Sequence, residues 1–423
     1  MGEEPTEREE TISYERLYRL WEENNWSATG IDFSVDREHW DERLTDLQRE
    51  AALWNYAMFL VGEESVARTL TPVVDAAPGY AESIFLATQL VDEVRHHVFF
   101  DRFMREVAGR GEDTESTLDH VRGLCTWGFD KVFAELDDVT DSLRRKPRDL
   151  PLFAQTLALY HLVVEGMLAI PGQHFIKKYV EEFEILPGFA VGIRSVARDE
   201  SRHVAFGVKC LGELVSSTVE CRDAAIELWD RVLPWAVGVF VPPNFDRSYT
   251  ECFDFTLEEI YAFGLRSFEM KLRRIGIDPH EIRILSLQDR DLPYDERARR
   301  AVLLVEAGVI GDDRREPELR HEIFEILFDG MKRSMDFELA RSLEGPVEWI
   351  FTDAEPWHLV VADGHIEAKP GRAGNPALQL ETSSAEFAKI AAGRSDPRWA
   401  VVKRQLKIHG PLSAKAKLPR LFR

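Results

Sequence analysis

The run Ser195-Val196-Ala197-Arg198-Asp199-Glu200-Ser201-Arg202-His203-Val204-Ala205-Phe206-Gly207 sets the terms on which the rest of the chain is read. Glu200 and His203 are three residues apart, which on a helix puts them about 60° apart around the axis and about 4.5 Å along it, within reach of one ion. A single Glu-x-x-His pair is common on charged helix faces. Here it recurs: Asp92-Glu93-Val94-Arg95-His96 repeats the pattern, and Glu63 and Glu165 fall inside apolar helical runs. A Glu-x-x-His from each of two helices and a Glu from each of two others is the ligand set of a carboxylate-bridged dinuclear metal site in a four-helix bundle.

Upstream, Leu44, Leu47, Ala51, Trp54, Met58 and Val61 recur at three-to-four-residue steps, predicting a helix from Asp41 to about Ala76. Pro78-Gly79 breaks it, and a second helix follows from about Tyr80 to Val107. Glu63 and Glu93 stand at about the same distance from that break, so an antiparallel hairpin sets them at one depth. Glu64 shifts the match by only one residue, so the geometry prefers Glu63 without deciding. A helix near Leu118 to Leu136 leads to a strongly apolar one, Leu152 to about Phe183, carrying Tyr160 and Glu165. Glu165 has apolar neighbours on every side, and a buried carboxylate must be protonated or held by a cation. From Pro187-Gly188 the spacing is unequal, 22 residues back to Glu165 and 12 on to Glu200, so a loop or a helix distortion has to absorb the difference. Further helices are predicted from about Ala224 to Val241 and from Leu257 to Ile275.

Acidic residues outnumber basic ones 75 to 53, a formal charge of −22 that disfavours nucleic acid as a partner. The cysteines, Cys125, Cys210, Cys221 and Cys252, form no Cys-x-x-Cys pair, which argues against a disulfide framework or zinc ribbon. The first residues lack a basic and apolar leader, and no uninterrupted apolar run of about 18 residues predicts a membrane span. A cytoplasmic protein is the expectation.

The last hundred residues have a different grammar. Strand-like alternation appears in Val347 to Phe351 and Trp357 to Val361, Asp363-Gly364 predicts a hairpin turn into Ile366 to Lys369, and Leu378 to Thr382 is a further strand before a helix ending at Gly393. Residues 319–423 carry 16 Lys and Arg against 14 Asp and Glu, whereas the preceding 318 carry 37 against 61. This shift supports a boundary near residue 318. The reading divides the chain into a tryptophan-rich lead-in (1–40) with no visible function, a helical metal domain (41–285), a linker (286–318) and a small α+β domain (319–423). From Pro397 onward there are eight basic residues and no acidic one.

Four carboxylates and two imidazoles balance two divalent cations and leave room for oxygen; hard oxygen donors with some imidazole suit iron and manganese. Asp199 is either an acceptor for a ligand histidine's other N–H, fixing its tautomer, or a salt-bridge partner of Arg202. His97 points about 100° from His96 and is read as structural.

The spacing Glu63, Glu93-x-x-His96, Glu165, Glu200-x-x-His203 resembles the ribonucleotide reductase small-subunit superfamily, with its ferritin-like bundle, and within it most resembles the ligand-binding oxidases. The radical-tyrosine position, four residues after the first ligand histidine, holds Phe100, and the first ligand is Glu; some reductase subunits share both features. Tyr160 and Val66 match the tyrosine and valine that become joined by an ether bond in those oxidases, beside a manganese–iron cofactor and a bound long-chain fatty acid. On a regular helix Tyr160 lies about 140° from Glu165 and needs its length or a π-bulge to reach in. The C-terminal residues Val360 to Glu367, Gly371 to Pro376, Ala392 to Pro397 and Leu406 to Leu412 resemble the sterol carrier protein type 2 fold, a small lipid-binding module.

The resemblance implies a mainly α protein: a ferritin-like four-helix bundle with accessory helices, followed by a small α+β domain of lipid-binding type. It implies a homodimeric Mn/Fe or Fe/Fe oxidase using O2 and an electron donor to oxidise a C–H bond of a fatty-acid-like molecule, with Phe99, Phe100, Met167, Leu168 and Phe206 as its apolar wall. The alternatives are a radical-generating reductase subunit, which needs a tyrosine-bearing tail although no Tyr follows Tyr294, and a lipid carrier on a ferritin-like scaffold.

Overall fold

The structure is a computed structural model describing residues 12–286 and 288–422, with nothing described of the Ser286 side chain. The first eleven residues of the lead-in and Arg423, the last of the eight basic residues, lie outside the described residues. The chain forms two compact units divided between Ile282 and Arg283.

In the first unit, α1 (Tyr14–Glu23) and α2 (Ser34–Glu42) precede the long pair α3 (Asp46–Ala76) and α4 (Tyr80–Glu106). A reciprocal capping box starts α3: the Gln48 amide donates to the Thr45 hydroxyl at 3.2 Å and the Thr45 amide to the Gln48 side chain at 3.0 Å. The chain then turns through Pro78 and Gly79 into α4. The single helix expected near 118–136 is two, α5 (Thr114–Val121) and α6 (Trp127–Arg145), each with its own N-cap side chain, Asp113 and Thr126.

The next helix, α7, runs over Leu150–Glu182. It is long and apolar enough to cross a bilayer by length and composition, yet 78% of its apolar window is buried inside the protein, where it carries Tyr160 and Glu165. Its centre, Ala158–Ala169, is wound as a π-helix, with the Ile170 amide bonding the Glu165 carbonyl five residues back. The looser winding displaces the carbonyl of Gly166, which accepts from Ser267 Oγ at 2.9 Å and Lys271 Nζ at 3.1 Å. A helix distortion is one of the two ways to absorb the unequal spacing around Pro187, and the loop of residues 183–186 is the other.

Helix α8 (Pro187–Ser217) has Leu186, in the left-handed region, as its N-cap, with no local side-chain cap. Asp36 from α2 serves instead, accepting from the Gly188 and Phe189 amides at 2.8 and 2.7 Å. A Cβ on Gly188 would fall 2.3 Å from the Asp32 carbonyl oxygen, so only glycine permits this approach. Helices α9 (Val219–Ala236) and α10 (Leu257–Arg274) complete the main framework. The metal-motif residues thus come from α3, α4, α7 and α8.

In the second unit a five-stranded sheet has the order β3-β2-β1-β4-β5, with β1 (Val347–Phe351) parallel to β4 (Leu378–Thr382) and the other pairs antiparallel. Strands β2 (Trp357–Ala362) and β3 (His365–Pro370) join through Asp363-Gly364, both at positive φ, as a tight hairpin requires. The fifth strand, β5 (Leu406–His409), was not predicted: four residues paired on one side give little alternation to read. Aromatic side chains of helix His321–Ser334, the sheet and helix Ser384–Ala391 pack together; Phe328 stacks on Trp357 at 4.9 Å and on Phe387 at 5.2 Å. Residues 286–318, read from sequence as a linker, contain helix Tyr294–Glu306 and fall in this second unit.

Candidate metal centre

All six predicted donors converge. Ligand atoms of Glu63, Glu93, His96 and Glu200 lie within 4.8 Å of one another, and so do those of Glu93, Glu165 and His203, so that Glu93 belongs to both groups. The six side chains are at most 5% exposed. His96 Nδ1 faces Glu63 and Glu93 at 3.5 Å and Glu200 at 3.6 Å, while His203 Nδ1 faces Glu93 at 3.3 Å, Glu165 at 3.5 Å and Glu200 at 3.7 Å. Glu93 and Glu200 each turn one oxygen to either histidine, whereas Glu63 meets only His96 and Glu165 only His203. The competing Glu64 is on the outer face, 3.4 Å from Arg122.

Each of the six leaves one buried atom with no hydrogen-bond partner: the Oε2 atoms of Glu63, Glu93, Glu165 and Glu200 and the Nδ1 atoms of His96 and His203. Orphaned buried polar atoms are costly, and six of them on two interlocking groups are what a pair of cations satisfies. The electrostatics agree. Burial pushes the Glu63 and Glu165 carboxyls well above their ordinary pKa. Burial also opposes ionisation of Glu93, but His203 and His96 outweigh it and hold that group down at about 2. Burial disfavours a charged imidazole, yet Glu63 and Asp199 raise His96, and Glu93 and Asp92 raise His203, well above the usual histidine range.

Behind the histidines the two halves mirror each other. Asp199 on α8 lies 3.4 Å from His96 Nε2 on α4, and Asp92 on α4 lies 3.1 Å from His203 Nε2 on α8. Arg202 donates to both aspartates, at 3.1 Å to Asp199, so the two roles weighed for Asp199 hold together. The Trp26 indole donates to Asp199 at 2.7 Å and the Trp21 indole to Asp92 at 3.0 Å. The lead-in segment, functionless by sequence, therefore seals the outer side of the site. The tryptophans of the lead-in carry no sequence signal for this role, whereas Asp-Glu-x-Arg-His occurs twice, at 92–96 and 199–203, and the repeat marks Asp92 as the partner of Asp199.

The Tyr160 hydroxyl donates to Glu93 Oε1 at 3.0 Å. On the π-wound segment residues five apart share a face, which brings Tyr160 in beside Glu165. Val66 is buried one turn beyond Glu63 and lines a partly open pocket. Its walls are apolar, including Met58, Phe59, Phe133, Val164, Leu168 and Phe240, and it opens on Glu63, Glu93, Glu165 and Glu200. Of the predicted wall only Leu168 lines this cavity. Phe99 and Phe100 pack on Phe189 and Phe59 in the bundle core, Phe206 stacks on Phe85 at 4.4 Å, and Met167 is partly exposed. Phe59, Phe129 and Phe133 replace them, because the π winding and the approach of α6 to α3 fix which side is hollow. His97 stays outside the cluster.

The family model described as ribonucleotide reductase, small chain, matches residues 10–231, and that of the SCP-2 sterol transfer family matches 328–423. Similar solved structures include an R2-like ligand-binding oxidase from Sulfolobus acidocaldarius, at 24% identity and a TM-score of 0.50 over 64% of this chain and 93% of that one. Two single-residue mutants of R2-like ligand-binding oxidase with an aerobically reconstituted Mn/Fe cofactor align at 21% identity and a TM-score of 0.55, over 64% of this chain and 95% and 96% of theirs. These likenesses establish the ferritin-like fold of the helical unit. With its match spanning more than half of the residues, the chain belongs to the ribonucleotide reductase small-chain family, and it carries an SCP-2 domain at its C-terminus.

Proposed function

We propose that this chain is an O2-dependent dinuclear metal oxidase, holding Mn/Fe or Fe/Fe, that oxidises a C–H bond of a long-chain, fatty-acid-like molecule. The observation that carries the reading is the set of six buried side chains, each with one unpartnered donor atom facing a shared centre. Glu93 and Glu200, which face both histidines, with Glu63 on the His96 side, Glu165 on the His203 side and the two imidazoles through Nδ1, would hold the metal pair. When bound, the centre supplies the reductive activation of O2.

The protein's own contribution is positional. Asp199 and Asp92 face the Nε2 atoms of the histidines and keep each Nδ1 turned to the centre. The apolar walls of the pocket suit an alkyl chain led up to the carboxylates. Phe100, four residues past His96, is packed among Phe59, Phe99 and Phe189 with no hydroxyl to oxidise, as the oxidase reading requires. Tyr160 and Val66 are the pair for an ether cross-link, formed by loss of one hydrogen from each, the two electrons and two protons passing to O2. We place the enzyme as a cytoplasmic homodimer supplied by a separate electron donor.

Anaerobic purification followed by metal analysis tests the reading: about two metals per chain are expected, and fewer than about one removes it. Exposure of the loaded protein to O2 is expected to give a two-hydrogen mass deficit in the joined Val66 and Tyr160 peptides. A full metal complement without that deficit removes the ligand-binding-oxidase assignment and leaves the metal site. Mass spectrometry of the apolar molecule extracted from the purified protein identifies the substrate class.

A further inference from the structure

Gln89 is fully buried on α4, one turn before Glu93. Its Nε2 donates to Glu165 Oε1 at 2.7 Å and to Glu93 Oε1 at 3.2 Å, and its Oε1 faces His161 Nε2 at 3.0 Å. The amide turns its NH2 group to the two carboxylate groups and its oxygen to the ring nitrogen of His161, so each end meets a group that can complement it. Burial holds the His161 pKa down at about 3, so its ring is neutral with one N–H to give.

The position of that ring is in turn set by packing. Gly207 of α8, one turn past His203, has no side chain, and a Cβ there would fall 2.2 Å from His161 Cβ. Gly207, His161 and Gln89 thus form a line through three helices that ends on the carboxylates of one half of the site. Among the described residues, Glu63 and Glu200 receive no such amide bond.

Taking this together, we infer that Gln89, anchored by His161, is a positioning residue for the half of the site built from Glu93, Glu165 and His203, deciding which oxygen of Glu165 is left for a cation. With Oε1 of Glu165 engaged by the amide, Oε2 is the atom without a partner. Glu93 is treated alike, its Oε1 taken by Gln89 and Tyr160 and its Oε2 free. The amide therefore bonds both carboxylates of the three-donor group, whereas in the four-donor group of Glu63, Glu93, His96 and Glu200 it touches only the shared Glu93. The inference rests on the reading of the six residues as metal ligands.

The test is an anaerobic Mn(II) titration of the full-length protein, with bound metal counted after gel filtration and coupled and isolated ions told apart by electron paramagnetic resonance. Wild type is expected to hold two coupled ions. Gln89→Leu is expected to weaken the first, which shares only Glu93 with the amide, much less than the second, whose affinity falls about tenfold to a hundredfold, giving the spectrum of an isolated ion. His161→Phe, which keeps the ring volume and removes the N–H, is expected to move the second affinity in the same direction by less, and it carries the test if the Gln89 variant does not fold. Two coupled ions at wild-type affinity in these variants overturn the inference, as does an equal loss of both ions, which marks a role in folding alone. A wild type holding less than about one ion overturns the proposed function itself.

Discussion

Asp92 on α4 lies 3.1 Å from Nε2 of His203 on α8, so the helix that supplies one Glu-x-x-His pair also orients the histidine of the other. The reverse contact, Asp199 with His96, makes the arrangement reciprocal. Asp92→Asn replaces an acceptor by a group that also presents N–H, and the His203 ring loses the partner that holds its tautomer. Metal affinity is expected to fall about tenfold to a hundredfold, read by competition with a chelator of known strength. Trp21→Phe, which removes only the indole donor to Asp92, is expected to change it less.

Acid–base behaviour follows from the same cluster. With no metal added, the surrounding carboxylates outweigh burial and keep His96 and His203 above the usual histidine range, so at pH 7 both imidazoles are charged. Binding through Nδ1 displaces those protons. With the raised Glu63 and Glu165 carboxyls also giving up protons, metal uptake at pH 7 is expected to release about two to four protons per chain, measured in a weakly buffered solution with an indicator, and the apparent affinity is expected to rise with pH.

The π-helix is held open from outside by α10. A Cβ on Gly166 would fall 2.9 Å from the His161 carbonyl oxygen and 2.9 Å from Lys271 Cε. Gly166→Ala is expected to destabilise the protein by about 1–3 kcal/mol, seen as a lower denaturant midpoint.

Lys271, which donates to the Gly166 carbonyl, gives a pH signature of its own. Burial, reinforced by Arg274, pushes its pKa down to about 8 from an ordinary 10.5. Between these values the unfolded chain binds more protons than the folded one, so this group makes stability rise with pH across that window, by up to about 1.4 kcal/mol per pH unit. The stability difference between wild type and Lys271→Met is expected to grow in favour of wild type from pH 8 to pH 10 in denaturant titrations.

Ala169 lines the apolar cavity at the end of the π segment. Ala169→Phe fills that space and leaves all six candidate ligands in the sequence. The expected outcome is a protein with its full metal complement and no extractable apolar molecule, checked by metal analysis and mass spectrometry on one preparation.

What the sequence determined was the part written in short-range periodicity. Three-residue spacing sets Glu and His on one helix face wherever the helix lies, so Glu93-x-x-His96 and Glu200-x-x-His203 declared themselves, and apolar neighbours marked Glu165 as buried. The Asp-Gly turn and the alternation of β1 through β4 were legible for the same local reason. Choosing Glu63 over Glu64 needed the packed bundle, because adjacent residues differ only in which way the helix is turned, and that is settled by what it packs against. The π winding was legible only as one of two ways to bring Tyr160 toward Glu165, because it depends on Lys271 and Ser267, about a hundred residues downstream, satisfying a carbonyl that an α-helix keeps to itself. Out of reach altogether were the side of the bundle that is hollow, the amide of Gln89 between two glutamates, and the folding of Trp21 and Trp26 over Asp92 and Asp199. Each joins residues far apart in the chain, and no spacing rule constrains contacts that exist only after helices have packed.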